Sequence, residues 1–316
     1  MRNPGALDTG EDAHGGLPWA EAEIRLLWGT NIEGSFALLL SDQPVPYNRK
    51  SQPTSTVADG ESMRSSALKW VFLLPRGLFK LWFVLVFSLS LLLLYIPFRV
   101  MLRTPEGYPA AFRLMRAWGK FLGFSCMVPL RIRWEAPLPP PPYIVCLNHS
   151  SYLDIIHTFN VLPDLFLFMG KQELLRWPLF NIFFQDMHIA VNRDNGMEAA
   201  RALMKAGKAL DRGISVSIFP EGTIPRDAPR MNPFKDGAFR LAIKKEVPIV
   251  PITFLDNWRL FGDPEQLMSR GRPGIARTVV HPAIETKGMG SMDVNTLRRR
   301  VFEAIEKPLR DEYPMK

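Results

Sequence analysis

The sequence predicts an α/β fold: a largely parallel sheet flanked by helices, preceded by an N-terminal hydrophobic membrane-anchoring helix or hairpin. Three observations carry that expectation. From Leu130 onward, short apolar runs alternate with helical stretches, the pattern that builds parallel sheets through crossover connections. Four of the runs are followed within two residues by a chemically useful group: His149, Lys171, Arg193 and Glu221. Residues 81–98 form a stretch of eighteen without a charge, bounded by Lys80 and Arg99.

Residues 1–62 hold four Lys/Arg against nine Asp/Glu, which leaves 35 against 22, a net +13, on residues 63–316. A basic remainder suits an anionic membrane surface and a phosphorylated substrate. No nucleic-acid motif or dense basic run accompanies it, so nucleic acid is not expected as a partner. The acidic segment carries Gly, Pro, Ser and Asp breakers, with short apolar runs only at 24–28 and 36–40. It lacks the charged leader, apolar core and small-residue cleavage site of a secretory signal. Two readings remain for it: a disordered extension, or sequence upstream of a true start at Met63.

Residues 63–104 read as a membrane-associated helical segment. The uncharged run at 81–98 makes a helix of roughly 27 Å, near the hydrocarbon thickness of a bilayer. Lys80 and Arg99 are placed to snorkel to the interfaces, and Trp82 and Tyr95 sit where interfacial aromatics belong. A second apolar patch at 70–74, followed by Pro75, is what a hairpin lying in one leaflet would need. Spanning and interfacial arrangements both fit. Flanking charge does not orient the segment, since Arg64, Lys69, Arg76 and Lys80 balance Arg99, Arg103, Arg113 and Arg116. The two cysteines, Cys126 and Cys146, have no metal-type spacing and make no disulfide framework, which favours a reducing, cytosol-facing domain over residues 105–316.

Within that domain, residues 130–135 alternate as a strand, and the proline-rich tract at 137–142 is a stiff connector that cannot join a sheet. Buried strands are expected at 143–147, 165–169, 188–191 and 215–219. Helices are expected at 152–161, 172–184 and 197–212. The last has Ala199, Ala202, Leu203, Ala206 and Leu210 on one side and Gly213 as a stop. Prolines within residues 247–252 predict an edge or broken strand. Parallel strands turn their carboxyl ends to one edge, where open α/β sheets bind ligands, so the four polar groups meet in one crevice.

The chemistry is concentrated in Asn148-His149, with Asp154 five residues beyond, and in Phe219-Pro220-Glu221-Gly222-Thr223. A carboxylate beside a histidine fixes its tautomer and stabilises the imidazolium, which suits a general base. Residues i and i+5 lie about 140° apart on a helix. His149 therefore meets Asp154 only from a loop or cap before the helix, with its ring folded back. Asp154 and His157, three apart, pair more naturally on a regular helix and form a second possibility. Ser150 and Ser151 suit helix capping, and no G-x-S-x-G elbow supports a nucleophilic serine. No metal site is expected.

These two elements closely resemble the motifs of the glycerolipid acyltransferase family, and the resemblance covers residues 69–289. It implies a glycerol-3-phosphate acyltransferase-like fold and direct attack by an acceptor hydroxyl, with His149 as base and Asp154 behind it. It implies that Arg193, closing Ile189-Ala190-Val191-Asn192-Arg193, binds the acceptor's phosphate, although His188 stands where many relatives carry glycine. Lys171 takes phosphate or the oxyanion of the tetrahedral intermediate. Glu221, Gly222 and Thr223 position the glycerol phosphate. Asn148, Lys235 and Gly237, the last two from a F-K-x-G-like element, are secondary candidates. The implied reaction transfers an acyl group from acyl-CoA or acyl carrier protein to 1-acyl-sn-glycerol-3-phosphate (lysophosphatidic acid), giving phosphatidic acid, with no cofactor beyond the donor. The alternatives are glycerol-3-phosphate or a lyso-aminolipid as acceptor, or a non-catalytic membrane lipid-binding protein. The expected location is the inner (cytoplasmic) membrane, with the catalytic domain facing the cytosol.

Overall fold

The computed structural model describes residues 59–171, 179, 181–192, 195–262 and 269–314, with the backbone path only at 59–73, 171 and 184–186. Residues 1–58 of the expected acidic extension lie outside the described residues, as does most of the helix expected at 172–184.

Helix α1 (Asp59–Met101) runs unbroken through Pro75 and Pro97. A hairpin turning at Pro75 does not form. One proline removes one intrahelical hydrogen bond, and with good helix formers on both sides it bends a helix rather than ending it. The chain reverses later, through a 3-10 turn (Pro105–Gly107) into α2 (Tyr108–Ser125), which packs back along α1. Gly107 is required there, because a Cβ would lie 1.9 Å from the Met101 carbonyl oxygen. Trp118 Nε1–H donates to Ser90 Oγ (2.8 Å) and Trp82 Nε1–H to the Ser125 carbonyl (3.0 Å), fastening the two helices.

The two faces of α1 differ in what they meet. Phe79, Phe83, Leu91 and Phe98 turn inward and are buried. Leu81, Leu85, Leu89, Leu92, Leu93 and Ile96 face outward, Leu93 at 80% exposure. The segment Leu74–Met101, 28 residues with mean hydropathy 2.4, is long and apolar enough to cross a bilayer. Lys80 does not snorkel. It is 2% exposed, on the inward face three residues before Phe83, with its ammonium on Ser269 Oγ and 5.5 Å from the Phe261 ring.

Seven strands follow: β1 (Leu130–Trp134), β2 (Ile144–Leu147), β3 (Phe166–Lys171), β4 (Ile189–Val191), β5 (Ser215–Ile218), β6 (Ile249–Phe254) and β7 (Ala276–Val280). They form one sheet in the order β1-β7-β6-β2-β5-β3-β4. All neighbours are parallel except β6 and β7, so β1 and β7 run against the other five. The expected edge strand at 247–252 is instead the interior strand β6, buried along its whole length. Its Pro251 fits because the missing N–H lies on the β7 side, past the end of that ladder. There the Pro251 carbonyl accepts the His281 amide at 3.0 Å, one residue beyond the last β6–β7 pair.

Helices α3 (Leu153–Val161), α4 (Asn181–Asp186), α5 (Gly196–Asp211), α6 (Gly237–Lys245), α7 (Asn257–Leu260) and α8 (Val294–Glu312) complete the described elements. Alternation along β2 divides the core. Ile144 and Cys146 pack with Leu203, Phe239, Val301 and Ile305 beneath α5, α6 and α8. Val145 and Leu147 pack with Phe98, Phe112, Phe159 and Phe166 beneath α1, α2 and α3. The inner face of the apolar helix thus belongs to the same core as the sheet. Phe98→Ala should lower unfolding stability in detergent by about 3–5 kcal/mol, whereas Leu93→Ala should change it by less than about 0.5 kcal/mol. Denaturant unfolding of both variants checks this.

Candidate active site

Five parallel strands, in the order β6-β2-β5-β3-β4, deliver their carboxyl ends to one edge. Just past the ends of β6, β2 and β5 the chain carries Asn257, His149 and Glu221 in that spatial order. Lys171 is the last residue of β3, described by its backbone alone, and Arg193 lies outside the described residues.

His149 sits in the turn between β2 and α3, ahead of the helix. Asp154, the second residue of α3, reaches back over the turn and is fully buried. Its Oδ2 accepts the amides of Ser150 (2.6 Å) and Ser151 (2.8 Å) and lies 3.1 Å from His149 Nδ1. Its Oδ1 accepts Asn257 Nδ2 at 2.8 Å. A carboxylate can only accept, so the ring proton sits on Nδ1 and Nε2 carries the lone pair. The ring stacks on Phe219, with centroids 4.1 Å apart. Ser151 Oγ accepts the Leu153 amide (3.1 Å) and donates to the Phe261 carbonyl (2.5 Å), tying the turn to the loop after α7. His157 does not pair directly with Asp154. Its Nδ1 faces Asn257 Oδ1 at 3.2 Å, and burial lowers its pKa to about 4.

Glu221 is 3% exposed, and both its oxygens meet backbone: His149 N–H at Oε1 and Asn232 N–H at Oε2, each at 2.7 Å. Burial pushes its carboxyl up to about 8, with Asp154 adding repulsion, against the pull of those two amides. Gly222 takes φ +78°, and the exposed Lys235 side chain lies across it, so that a Cβ would fall 3.1 Å from Lys235 Cε. Thr223 is exposed.

Two sequence candidates point elsewhere. Asn148 donates to the Phe254 carbonyl (3.0 Å) and accepts its amide (2.8 Å), fixing β2 to the end of β6. Gly237 opens α6 against α5, where a Cβ would lie 2.9 Å from Leu203. Asn257 and the stacking role of Phe219 were missed by the sequence reading. Asn257 follows a strand at the same edge as His149, but the prolines in residues 247–252 made that strand read as an edge or broken one.

Behind the histidine lies an apolar cavity of about 60 Å³ between α1, α2, α3 and the sheet, lined by Phe87, Trp118, Ile155, Phe159, Phe168 and His188 among others. Phe168 stacks on Phe219, so an aromatic column joins the cavity to the His149 ring. Among the described residues, no group of three or more His, Cys, Asp or Glu side chains could hold a metal ion.

The acyltransferase family model matches residues 130–255, from β1 through the end of β6. The chain is similar to 1-acyl-sn-glycerol-3-phosphate acyltransferase alpha of Mus musculus, 31% identical over 202 residues, 61% of this chain and 67% of that protein. It is similar to 1-acyl-sn-glycerol-3-phosphate acyltransferase beta of Homo sapiens, 31% identical over 199 residues, 62% of this chain and 68% of the human one. A Chlamydomonas reinhardtii 1-acyl-sn-glycerol-3-phosphate acyltransferase is 37% identical over 171 residues, 53% of this chain and 50% of its own. The fold matches the structure of the 1-acyl-sn-glycerophosphate (LPA) acyltransferase PlsC from Thermotoga maritima, with TM-score 0.63 at 21% identity. That match takes in 78% of this chain and 99% of that one.

The buried groups set a pH dependence of stability. Burial lowers His157 to about 4 and His188 to about 3, and it lowers His281 as well. Unfolded histidines take up a proton near 6.5, so below that pH the unfolded chain binds more protons and the fold loses stability. Glu221 has the opposite sign: raised to about 8, it favours the fold at low pH and loses that contribution as pH rises toward 8. The histidines outweigh it below pH 6.5, and it acts alone above. Unfolding stability should peak near pH 6.5 and fall by roughly 1–2 kcal/mol at pH 5, which denaturant titrations across pH 5–8 measure.

Proposed function

We propose that this chain, which belongs to the 1-acyl-sn-glycerol-3-phosphate acyltransferase family, transfers a fatty acyl group to the free hydroxyl of lysophosphatidic acid, giving phosphatidic acid. The observation that carries the proposal is the His149 ring, held on Asp154 at Nδ1 just past the carboxyl end of β2, the edge where open α/β sheets bind ligands.

In this reading the acceptor hydroxyl gives its proton to Nε2 as its oxygen bonds to the thioester carbonyl carbon. The carbonyl electron pair moves onto oxygen. Collapse of the tetrahedral intermediate re-forms the carbonyl and breaks the C–S bond, and the departing thiolate takes the proton back from the imidazolium. The donor is acyl-CoA or acyl carrier protein. Asp154 stabilises the imidazolium during the step, a contribution that with base catalysis is worth roughly 10²–10⁴-fold. The family resemblance assigns Lys171 and Arg193 to the phosphate and the oxyanion, and Lys235 adds a cation beside Gly222. Glu221 works as a clamp, holding the histidine turn against the loop that carries Asn232. The apolar cavity behind Phe219 receives the first part of the donor's acyl chain.

Membrane association follows from the substrate. A sixteen-carbon tail gains roughly 12 kcal/mol from leaving water, at about 0.8 kcal/mol per methylene. Drawing such an acceptor wholly into solution would forfeit most of its binding energy. The outward face of α1 gives the enzyme an apolar surface at the interface, so the tail remains in lipid while the head reaches the sheet edge. The catalytic face looks to the cytosol, where thioester donors are made, on the inner membrane.

The test is transfer of a labelled acyl group from each donor to a panel of acceptors in vesicles: lysophosphatidic acid, glycerol-3-phosphate and a lyso-aminolipid. Wild type should acylate lysophosphatidic acid fastest, and His149→Ala should lower kcat by about 10²–10⁴-fold. Undiminished turnover in that variant removes the base assignment, and no transfer to any acceptor removes the enzyme reading.

A further inference from the structure

The described residues around the dyad contain one more side chain whose placement the reaction explains. Asn257 is fully buried, and its amide is used at both ends. Nδ2–H donates to Asp154 Oδ1 at 2.8 Å, while Oδ1 lies 3.2 Å from His157 Nδ1. With the amide turned this way, His157 must donate its Nδ1–H, since a carbonyl oxygen can only accept. A flipped amide would set its oxygen against the Asp154 carboxylate and its NH2 against the His157 N–H, losing both contacts. The Asp154 carboxylate, which can only accept, therefore fixes the orientation of Asn257, and His157 braces its other end; Asn257 occupies the one Asp154 oxygen that does not face the catalytic ring.

The residue before Asn257 explains how the turn holds still. Asp256 is fully buried at the end of β6. Its Oδ2 accepts Arg277 N (3.0 Å) and Nε (2.7 Å), and its Oδ1 accepts Arg277 Nη2 (2.9 Å), the Tyr313 hydroxyl (2.6 Å) and Arg259 Nη2 (2.7 Å). Strand β7 and helix α8 thereby fix the backbone from which Asn257 reaches across to α3.

We propose that Asn257 is a positioning residue for acyl transfer: braced by His157, it ties Oδ1 of Asp154 so that Oδ2 stays on the His149 ring. The proposal rests on the acyltransferase reading for its rate effects, but the geometry it asserts is independent of turnover. Removing the donor leaves a buried carboxylate oxygen unsatisfied, and the carboxyl group can rotate off the ring to recover a partner.

The experiment compares Asn257→Ala, Asn257→Asp, His157→Phe and His157→Gln in the full chain in detergent micelles. The assay uses acyl-CoA with lysophosphatidic acid, and ¹⁵N-histidine NMR assigns the His149 Nδ1–H by its loss in His149→Gln. Asn257→Ala and Asn257→Asp should lower kcat by about 10- to 100-fold, with KM for both substrates within about twofold, and should shift or broaden the His149 Nδ1–H signal. His157→Phe should behave like Asn257→Ala. His157→Gln, which keeps an N–H donor toward Asn257, should retain kcat within about threefold. An unaltered His149 signal in folded Asn257→Ala overturns the proposal, whatever happens to the rate. A wild type that fails to turn over but shows the Asn257-dependent signal overturns the acyltransferase reading and leaves the positioning role standing.

Discussion

A carboxylate with no solvent contact has to collect its hydrogen bonds from the protein, and Asp154 collects four: from His149, Ser150, Ser151 and Asn257. Leaving such a charge unpaired would cost several kcal/mol. The turn between β2 and α3 is shaped by that demand. Two consecutive amides point at one oxygen, the chain enters α3 with His149 still outside the helix, and the imidazole falls into line. The same demand reaches across the sheet to Asn257, and through Asp256 to Arg277 and Tyr313 near the C-terminus. Catalytic geometry at one strand end is thus held by contacts from β6, β7 and α8.

The apolar helix is joined to this turn as well. Phe83 packs on Phe261 with centroids 4.4 Å apart, Lys80 covers the same ring, and the Phe261 carbonyl accepts the Ser151 hydroxyl. A lysine that would have served an interface by snorkelling is instead drawn inward, to a loop one residue from the catalytic machinery. The outward face of α1 stays apolar and exposed, while its inward face completes the core above β2, β3 and β6. The apolar helix and the sheet share one core, which suits the proposed transfer to an acceptor held in lipid.

Much of the arrangement was legible from residue order. Strand β2, buried on both faces, reads as a continuous apolar run, β5 keeps aliphatic residues at every second position, and a polar residue just beyond each marked the site edge. The His149–Asp154 spacing, impossible on a regular helix, pointed to a turn before α3. What stayed hidden depends on partners remote in sequence. Pro251 looked like an edge signal because nothing local says that its missing donor falls where the β7 ladder has ended. Lys80 looked interfacial because its contacts come from residues 261 and 269. The two amides on Glu221 come from His149 and Asn232, and no local pattern reveals either contact.

The account stands on where the acceptor oxygen sits relative to one nitrogen. The most direct measurement is a crystal structure of the protein with lysophosphatidic acid and a thioether analogue of the acyl donor. The free hydroxyl oxygen should lie about 2.6–3.2 Å from His149 Nε2, with the Asp154 contact at Nδ1 intact. An acceptor hydroxyl bound away from that nitrogen, with the ring closed against Phe219 and no path to Nε2, would contradict it.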